Sequence, residues 1–240
     1  MISSIAILGD FNPAYSTHHA LNDCLDVLKH SFNDEVSFDW IGTDVFESRD
    51  VFGLQQYCGL WIAPGSPYKN MQRVLDAIQY CRANEIPVFG NCGGFQHMLI
   101  EFAKNACGIA DADHAETNPN AVDPIINKLS CSLIGQEEEL EIVEKGSLLS
   151  MIIQKKNIVG RYYCSYGLNE KYAALLRSNG LVFTAFSKDR QLRAFEIKEH
   201  PFFIGTLFQP ALTSSPSSPD PLILAFVKQS ILLKQIIKQS

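Results

Sequence analysis

The chain has 240 residues, of which 46% are hydrophobic and 19% charged, and its formal net charge is −6. That length supports one large domain with a well-buried core, or two small ones. No run of Lys or Arg forms a basic stripe, which argues against nucleic acid or an anionic membrane surface as a partner.

The opening "MISSIAILGD" has a short, β-branched apolar run with no basic residue ahead of it, and reads as a first strand and not as a signal peptide. "STHHALNDCLDVLKHSF" is helical, with Ser16 or Thr17 available as its cap. "VSFDWIG" and "CGLWIAPG" are strands. "NMQRVLDAIQYCRANE" is a helix, "IPVFGN" a strand and "GGFQHMLIEFAKNACG" a helix that stops near Gly108. Apolar strands alternating with helices imply βαβ units and a parallel sheet covered on both faces. At most five strands precede residue 110, so later segments must complete the sheet.

The second half is richer in strands. "KLSCSLIG" (128–135) and "ELEIVE" (139–144) are predicted strands, followed by "GLVFTAFS", "LRAFEI" and "FFIGTLFQ". "NEKYAALLRSNG" is a short helix stopped by Gly180. The Ser/Pro loop "TSSPSSPDP" precedes a C-terminal helix with Pro221 in its first turn. That helix carries Leu222, Ile223, Leu224, Phe226, Val227, Ile231, Leu232, Leu233, Ile236 and Ile237. This is more apolar surface than one face against a sheet needs, so a second copy of the chain and a core seat are both open. No linker or repeat divides residues 1–240, and one α/β domain is expected.

No apolar run reaches the roughly 18 residues of a membrane helix. The seven cysteines are scattered, odd in number and free of any C-x-x-C pair. A disulfide framework, a metal site or a cofactor is therefore not expected, and a reducing cytoplasm is the expected location.

One stretch carries chemistry. In "PVFGNCGGFQHMLIEFAKN" (87–105), Cys92 sits at a strand-to-helix turn among Gly90, Gly93 and Gly94. A nucleophile on such a turn needs small neighbours, because strand and helix approach closely. The helix N-terminus behind it favours a thiolate. A buried structural cysteine is the plainer alternative; the flanking glycines favour a nucleophile.

From this block onward the sequence resembles the class I glutamine amidotransferases, in particular the glutaminase domain of CTP synthase. The resemblance runs through "GNCGGFQHMLIEFAKNACGIADADHAET", "GSLL", "YGLN", "GLVFTAFSKDRQLRAFEIKEHPFFIGTLFQP" and "PDPLILAFVK". It implies an open, flavodoxin-like, mostly parallel α/β sheet with helices on both faces and a β-rich C-terminal extension. Cys92 then takes the nucleophile position, and Gln96 and Glu116 the substrate-contacting ones. Gly65 and Ser66 lie in the oxyanion loop, with the Gly93 N–H beside the thiol.

The departures matter equally. The family's F-H-P-E motif reads "FQPA", which puts Gln209 and Ala211 where the triad His and Glu stand. Glutamine cannot take a proton from a thiol, and alanine cannot orient a base. Of three arginines that hold the substrate carboxylate, Arg161 remains, while Tyr163 and Ser165 replace the others. Pro67 in "PGSPY" has no N–H to donate. Candidate replacement bases are Asp10, His18 and His19 on the loop after the first strand, with His18 preferred, and His97 and His114 near the nucleophile. Cys164, in the former arginine segment, is a candidate second pocket thiol.

Two readings follow. In one, Cys92 attacks an amide-like carbon of a small molecule other than ordinary glutamine. In the other, the pocket binds a ligand, or the face pairs with another protein, without turnover. The chain has no G-x-x-x-x-G-K-[ST] motif and no room for the amidoligase half of CTP synthase, so a separate synthetase is a candidate partner.

Overall fold

The computed structural model describes residues 2–44, 51–122 and 124–239. In chain order the strands are β1 (Ser3–Leu8), β2 (Val36–Ile41), β3 (Gly59–Ile62), β4 (Val88–Asn91), β5 (Ile126–Lys128), β6 (Glu137–Ile142), β7 (Asn157–Arg161), β8 (Tyr166–Leu168), β9 (Leu181–Ser187), β10 (Leu192–Ile197) and β11 (Phe203–Thr206). The α-helices are α1 (Ser16–Ser31), α2 (Met71–Ala83), α3 (Gly93–Asn105), α4 (Leu148–Ile153), α5 (Ala173–Ser178) and α6 (Pro221–Gln239).

Nine strands form one sheet in the order β2-β1-β3-β4-β11-β10-β9-β6-β7. The five from β2 to β11 run parallel, and the rest continue antiparallel. Successive side chains of a strand point to opposite faces. Yet Ile5, Ala6, Ile7 and Leu8 of β1 are all fully buried, so both faces are covered. Helices α2 and α3 pack against each other and on β3 and β4, while α6 lies on β1 and β3. The parallel sheet with its β-rich extension is the expected architecture. Its fifth parallel strand, β11, comes from near the C-terminus.

Local expectations fail at identifiable places. Of "KLSCSLIG", only the residues up to Lys128 belong to a strand, β5. The remainder follows residues 162–165 irregularly, with Leu129 N–H on Ser165 O, Leu133 on Cys164 O and Gly135 on Tyr162 O. Four residues on one side thus answer one on the other, and residues 130–132 bow out of register. Helix α1 is capped by the backbone of Tyr15, with no side-chain cap from Ser16 or Thr17. In α6, Leu222, Ile223, Phe226 and Val227 are buried in the core, which gives the core seat to its first half. Leu232 and Ile236 near its end are 46% and 52% exposed. Ile237 lies outside the described side chains. Among the described residues, no helix is long and apolar enough to cross a membrane.

Candidate active site

A pocket of about 270 Å³ opens at the carboxyl ends of the parallel strands, where open α/β sheets place their sites. Loops after β1, β3, β4 and β11 reach it, as do the loop after α3 and the segment before β8.

Cys92 stands between β4 and α3 with φ +53° and ψ −110°. A non-glycine residue in that region carries about 1–3 kcal/mol of strain, held only when its surroundings over-determine it. Here they do. Cys92 N–H donates to Thr206 O of β11 (3.0 Å), and Cys92 O accepts from Gln96 N–H (3.2 Å). A side chain at Gly94 would stand 2.6 Å from Ile62 O, and one at Gly90 2.9 Å from the Gly94 carbonyl carbon. The glycines are therefore demanded by close approach of α3 to β3 and β4.

Cys92 Sγ lies 3.9 Å from the carbonyl of Tyr163, and the next residue, Cys164, lines the same pocket. The Cys92 thiol is held below the ordinary range, chiefly by the neighbouring Cys164 thiol acting as a donor. Burial opposes this, the Gly93 and Gly65 N–H groups add to the lowering, and the Glu116 carboxylate works against it. Cys164 shifts the other way, well up, because it holds its proton beside the Cys92 sulfur and burial disfavours a second charge there. The candidate pocket thiol thus lines the same pocket as Cys92.

Gln96, Glu116, Ser66 and Gly65 also line the pocket. Ser66 Oγ donates to Glu116 Oε2 (2.8 Å). Ser66 N sits beside Gly93, 3.2 Å from where a Cβ on Gly93 would stand. Gln96 is fixed at both ends of its amide. Its Nε2 donates to Tyr166 O (2.9 Å), and its Oε1 accepts from His114 Nε2 (3.1 Å). His114 Nδ1 accepts the Glu116 N–H (3.1 Å), which sets the tautomer and ties Gln96 to Glu116. Burial lowers His114 to about 3, so it stays neutral. This His114 link was not assigned from sequence; its only signal is a histidine two residues ahead of Glu116.

No expected base reaches the sulfur. His18 accepts the Asn12 N–H at Nδ1 (3.0 Å) and donates from Nε2 to Pro64 O (2.7 Å). Both ring nitrogens are spent on positioning the loop after β3, so His18 is corrected from base to scaffold. Asp10 accepts from Thr43 and from Lys69 N–H, and His19 bonds Pro13 O. His97 donates from Nδ1 to Gly93 O (2.8 Å) and packs on Tyr68, with burial lowering it to about 4. Among the described residues lining the pocket there is no histidine.

Gln209 lines the pocket, and its side-chain nitrogen is buried without an acceptor. Ala211 is buried in the following turn and does not line it. Arg161 points elsewhere, pairing with Glu137 (2.7 Å) and donating to Leu212 O (3.1 Å). Tyr163, half exposed, and Ser165 stand on the pocket wall instead. Glu116 is the only carboxylate among the lining residues, and they include no Lys or Arg. Among the described residues, no three His, Cys, Asp or Glu side chains cluster as a metal site.

The family model "Glutamine amidotransferase class-I" matches residues 16–229. The chain belongs to the class I glutamine amidotransferase family. It is 29% identical over 250 residues to the CTP synthase of Caldanaerobacter subterraneus subsp. tengcongensis, covering 96% of this chain and 45% of that protein. It is 30% identical over 222 residues to the CTP synthase of Cytophaga hutchinsonii, covering 87% and 39%. This amidotransferase-family chain thus spans under half the length of these curated relatives. In fold it matches the glutaminase domain of Trypanosoma brucei CTPS with bound acivicin, at a TM-score of 0.86, 24% identity and 95% and 94% coverage. A glutamine amidotransferase from Thermotoga maritima matches at a TM-score of 0.60 and 12% identity, with 98% and 95% coverage.

Proposed function

We propose that this amidotransferase-family domain uses Cys92 to attack the carbonyl carbon of a small amide other than ordinary glutamine. The observation that carries this is the Cys92 elbow: a strained, positive-φ backbone at the N-terminus of α3, whose thiol is lowered by the Cys164 thiol and the Gly93 and Gly65 N–H groups. Strain of this kind concentrates at working sites, and donors around a sulfur favour the thiolate that does the attacking. As the sulfur bonds to carbon, the carbonyl oxygen takes up the negative charge, and the N–H groups of the Gly65–Ser66 loop and of Gly93 face it. Collapse of that adduct expels the amine, which takes its proton from the Cys164 thiol. Water then cleaves the thioester and returns the proton to Cys164. Glu116 orients an amino group of the substrate, held in place by Ser66 and by the His114–Gln96 link.

Ordinary glutamine fits this pocket poorly, because its carboxylate finds no arginine or lysine among the lining residues. A synthetase as consumer of the released ammonia is part of the same proposal, since the curated relatives are CTP synthases. A second reading is favoured by one observation, the absence of an imidazole at Gln209. In that reading the domain binds a ligand, or a partner, without turnover.

Ammonia release from a panel of small primary amides separates the two. Release that is lost in Cys92→Ala supports the catalytic reading. Saturable ligand binding with no release from any amide supports the other. Release from L-glutamine itself should be at or near background, and robust Cys92-dependent release would overturn the altered-substrate assignment.

A further inference from the structure

Two thiols line one pocket, a pairing that the fold does not require. Cys92 lines the pocket, and so do Cys164 and the two residues after it, Ser165 and Tyr166. Cys92 Sγ also lies 3.9 Å from the carbonyl of Tyr163, the residue just before Cys164. The two backbones are held independently. Cys92 is pinned by Thr206 and Gln96, and Cys164 O accepts from Leu133 N–H. The pocket is open to solvent and wide enough to admit a small oxidant. The other cysteines stand apart: Cys24, Cys58 and Cys81 are buried in the core, Cys107 is half-buried, and Cys131 is exposed.

We propose that Cys92 and Cys164 form a two-electron dithiol–disulfide centre that takes a small hydroperoxide as oxidant and a small thiol as reductant. The Cys92 thiolate attacks one peroxide oxygen, and the O–O bond breaks. Sulfur gains an S–OH bond, and the departing oxygen leaves as water or an alcohol after taking up a proton. The Cys164 sulfur then attacks the sulfenic sulfur. Its proton goes to the departing hydroxyl, which leaves as water, and an S–S bond remains. Two thiols have lost two electrons and two protons, and one hydroperoxide has been reduced. Two equivalents of a small thiol reverse the step. The nucleophile role falls to Cys92 because it stands at the N-terminus of α3 on a strained, positive-φ backbone, and the resolving role to Cys164. This centre does not depend on whether Cys92 turns over an amide.

The test treats the full-length reduced chain with about one equivalent of hydrogen peroxide at neutral pH, followed by peptide mapping without reduction. The expected product is a Cys92–Cys164 linked peptide pair, recovered as free thiols by dithiothreitol. Cys92 should react at least about tenfold faster than the exposed Cys131 in the same molecule, because the reacting species is the thiolate. In Cys164→Ser, a sulfenic acid should accumulate at Cys92 and be trapped by dimedone, at several times the wild-type yield. Should that variant fail to fold, the wild-type linkage map and rate ratio decide by themselves. Equal dimedone yield in wild type and Cys164→Ser overturns the centre. So does a linkage to Cys131, oxidation of Cys92 past the sulfenic acid with Cys164 still free, or no faster reaction at Cys92 than at Cys131.

Discussion

The thiol of Cys92 is acidic through a neighbour that is itself a weak acid. A hydrogen bond from Cys164 favours the charged sulfur more than burial disfavours it. Replacing Cys164 by alanine removes that donor and leaves burial opposed by the Gly93 and Gly65 N–H groups alone. The pH profile of Cys92 alkylation by iodoacetamide should then move its inflection upward. Cys164→Ser keeps a donor and should restore most of the shift, whereas a mere packing role for Cys164 would leave the inflection in place. A second expectation concerns Gln209, whose side-chain nitrogen is buried in the pocket wall without an acceptor. Gln209→His with Ala211→Glu puts an imidazole there and a carboxylate behind it. The imidazolium–thiolate pair should raise the alkylation rate at neutral pH by about tenfold or more. An unchanged rate in a folded variant would mean that position 209 does not face the sulfur. At this scale Cys92, Gln96, Glu116 and Gln209 were legible because each occupies a motif position. His18 was not, since the Asn12 N–H and Pro64 O that consume its ring are supplied by backbone far apart in sequence.

Elements differ in how far their own residues determine them. Strands β1, β3 and β4 and helices α2 and α3 were readable because pattern and burial agree. Helix α4 and strand β7 were not. The first turn of α4 is held partly by Ser147 and partly by Glu196, whose carboxylate accepts from Leu148 and Leu149 N–H across 48 and 47 positions of chain. Strand β7 is an edge whose side chains are mostly exposed, so it lacks an apolar run. Helix α6 begins at a cap that was also unread. Asp220 Oδ1 accepts from Leu222 N–H (2.9 Å) and Ile223 N–H (3.4 Å). Burial pushes this carboxyl up from 3.8 to about 6, against those two donors. A carboxyl whose folded value is raised favours the fold while protonated, below its unfolded value. That contribution is lost as pH rises through about 6. Asp220→Asn keeps an oxygen for the cap and cannot ionise. The stability of the wild type relative to the variant, from urea midpoints, should therefore fall by on the order of 2 kcal/mol between about pH 4 and pH 7. A flat difference across that range would remove Asp220 as the titrating group.

On the scale of the whole molecule, the sheet joins parts that are distant in the chain. β4 carries Cys92 at its end, and its neighbour on one side is β11, in register from Phe203 opposite Val88 to Thr206 opposite Asn91. The first four parallel strands lie before residue 92, but the acceptor for the Cys92 N–H is Thr206 O. Until β11 docks, the Cys92 N–H lacks its acceptor, and Gln209 and the segment around Cys164 have no scaffold to hold them. Non-local pairings of this kind form late, because loop closure must precede any gain from them. In refolding from denaturant, the fast alkylation of Cys92 should return no earlier than hydrogen-exchange protection of the β11 amides. Its earlier return would show that the elbow forms locally. During synthesis the same order imposes a delay. At about 5–20 residues per second, a nascent chain waits on the order of 10 s between making Cys92 and making the strand that shapes it. Throughout that interval the residue is an ordinary thiol, and its reactivity switches on only in a molecule that has finished folding.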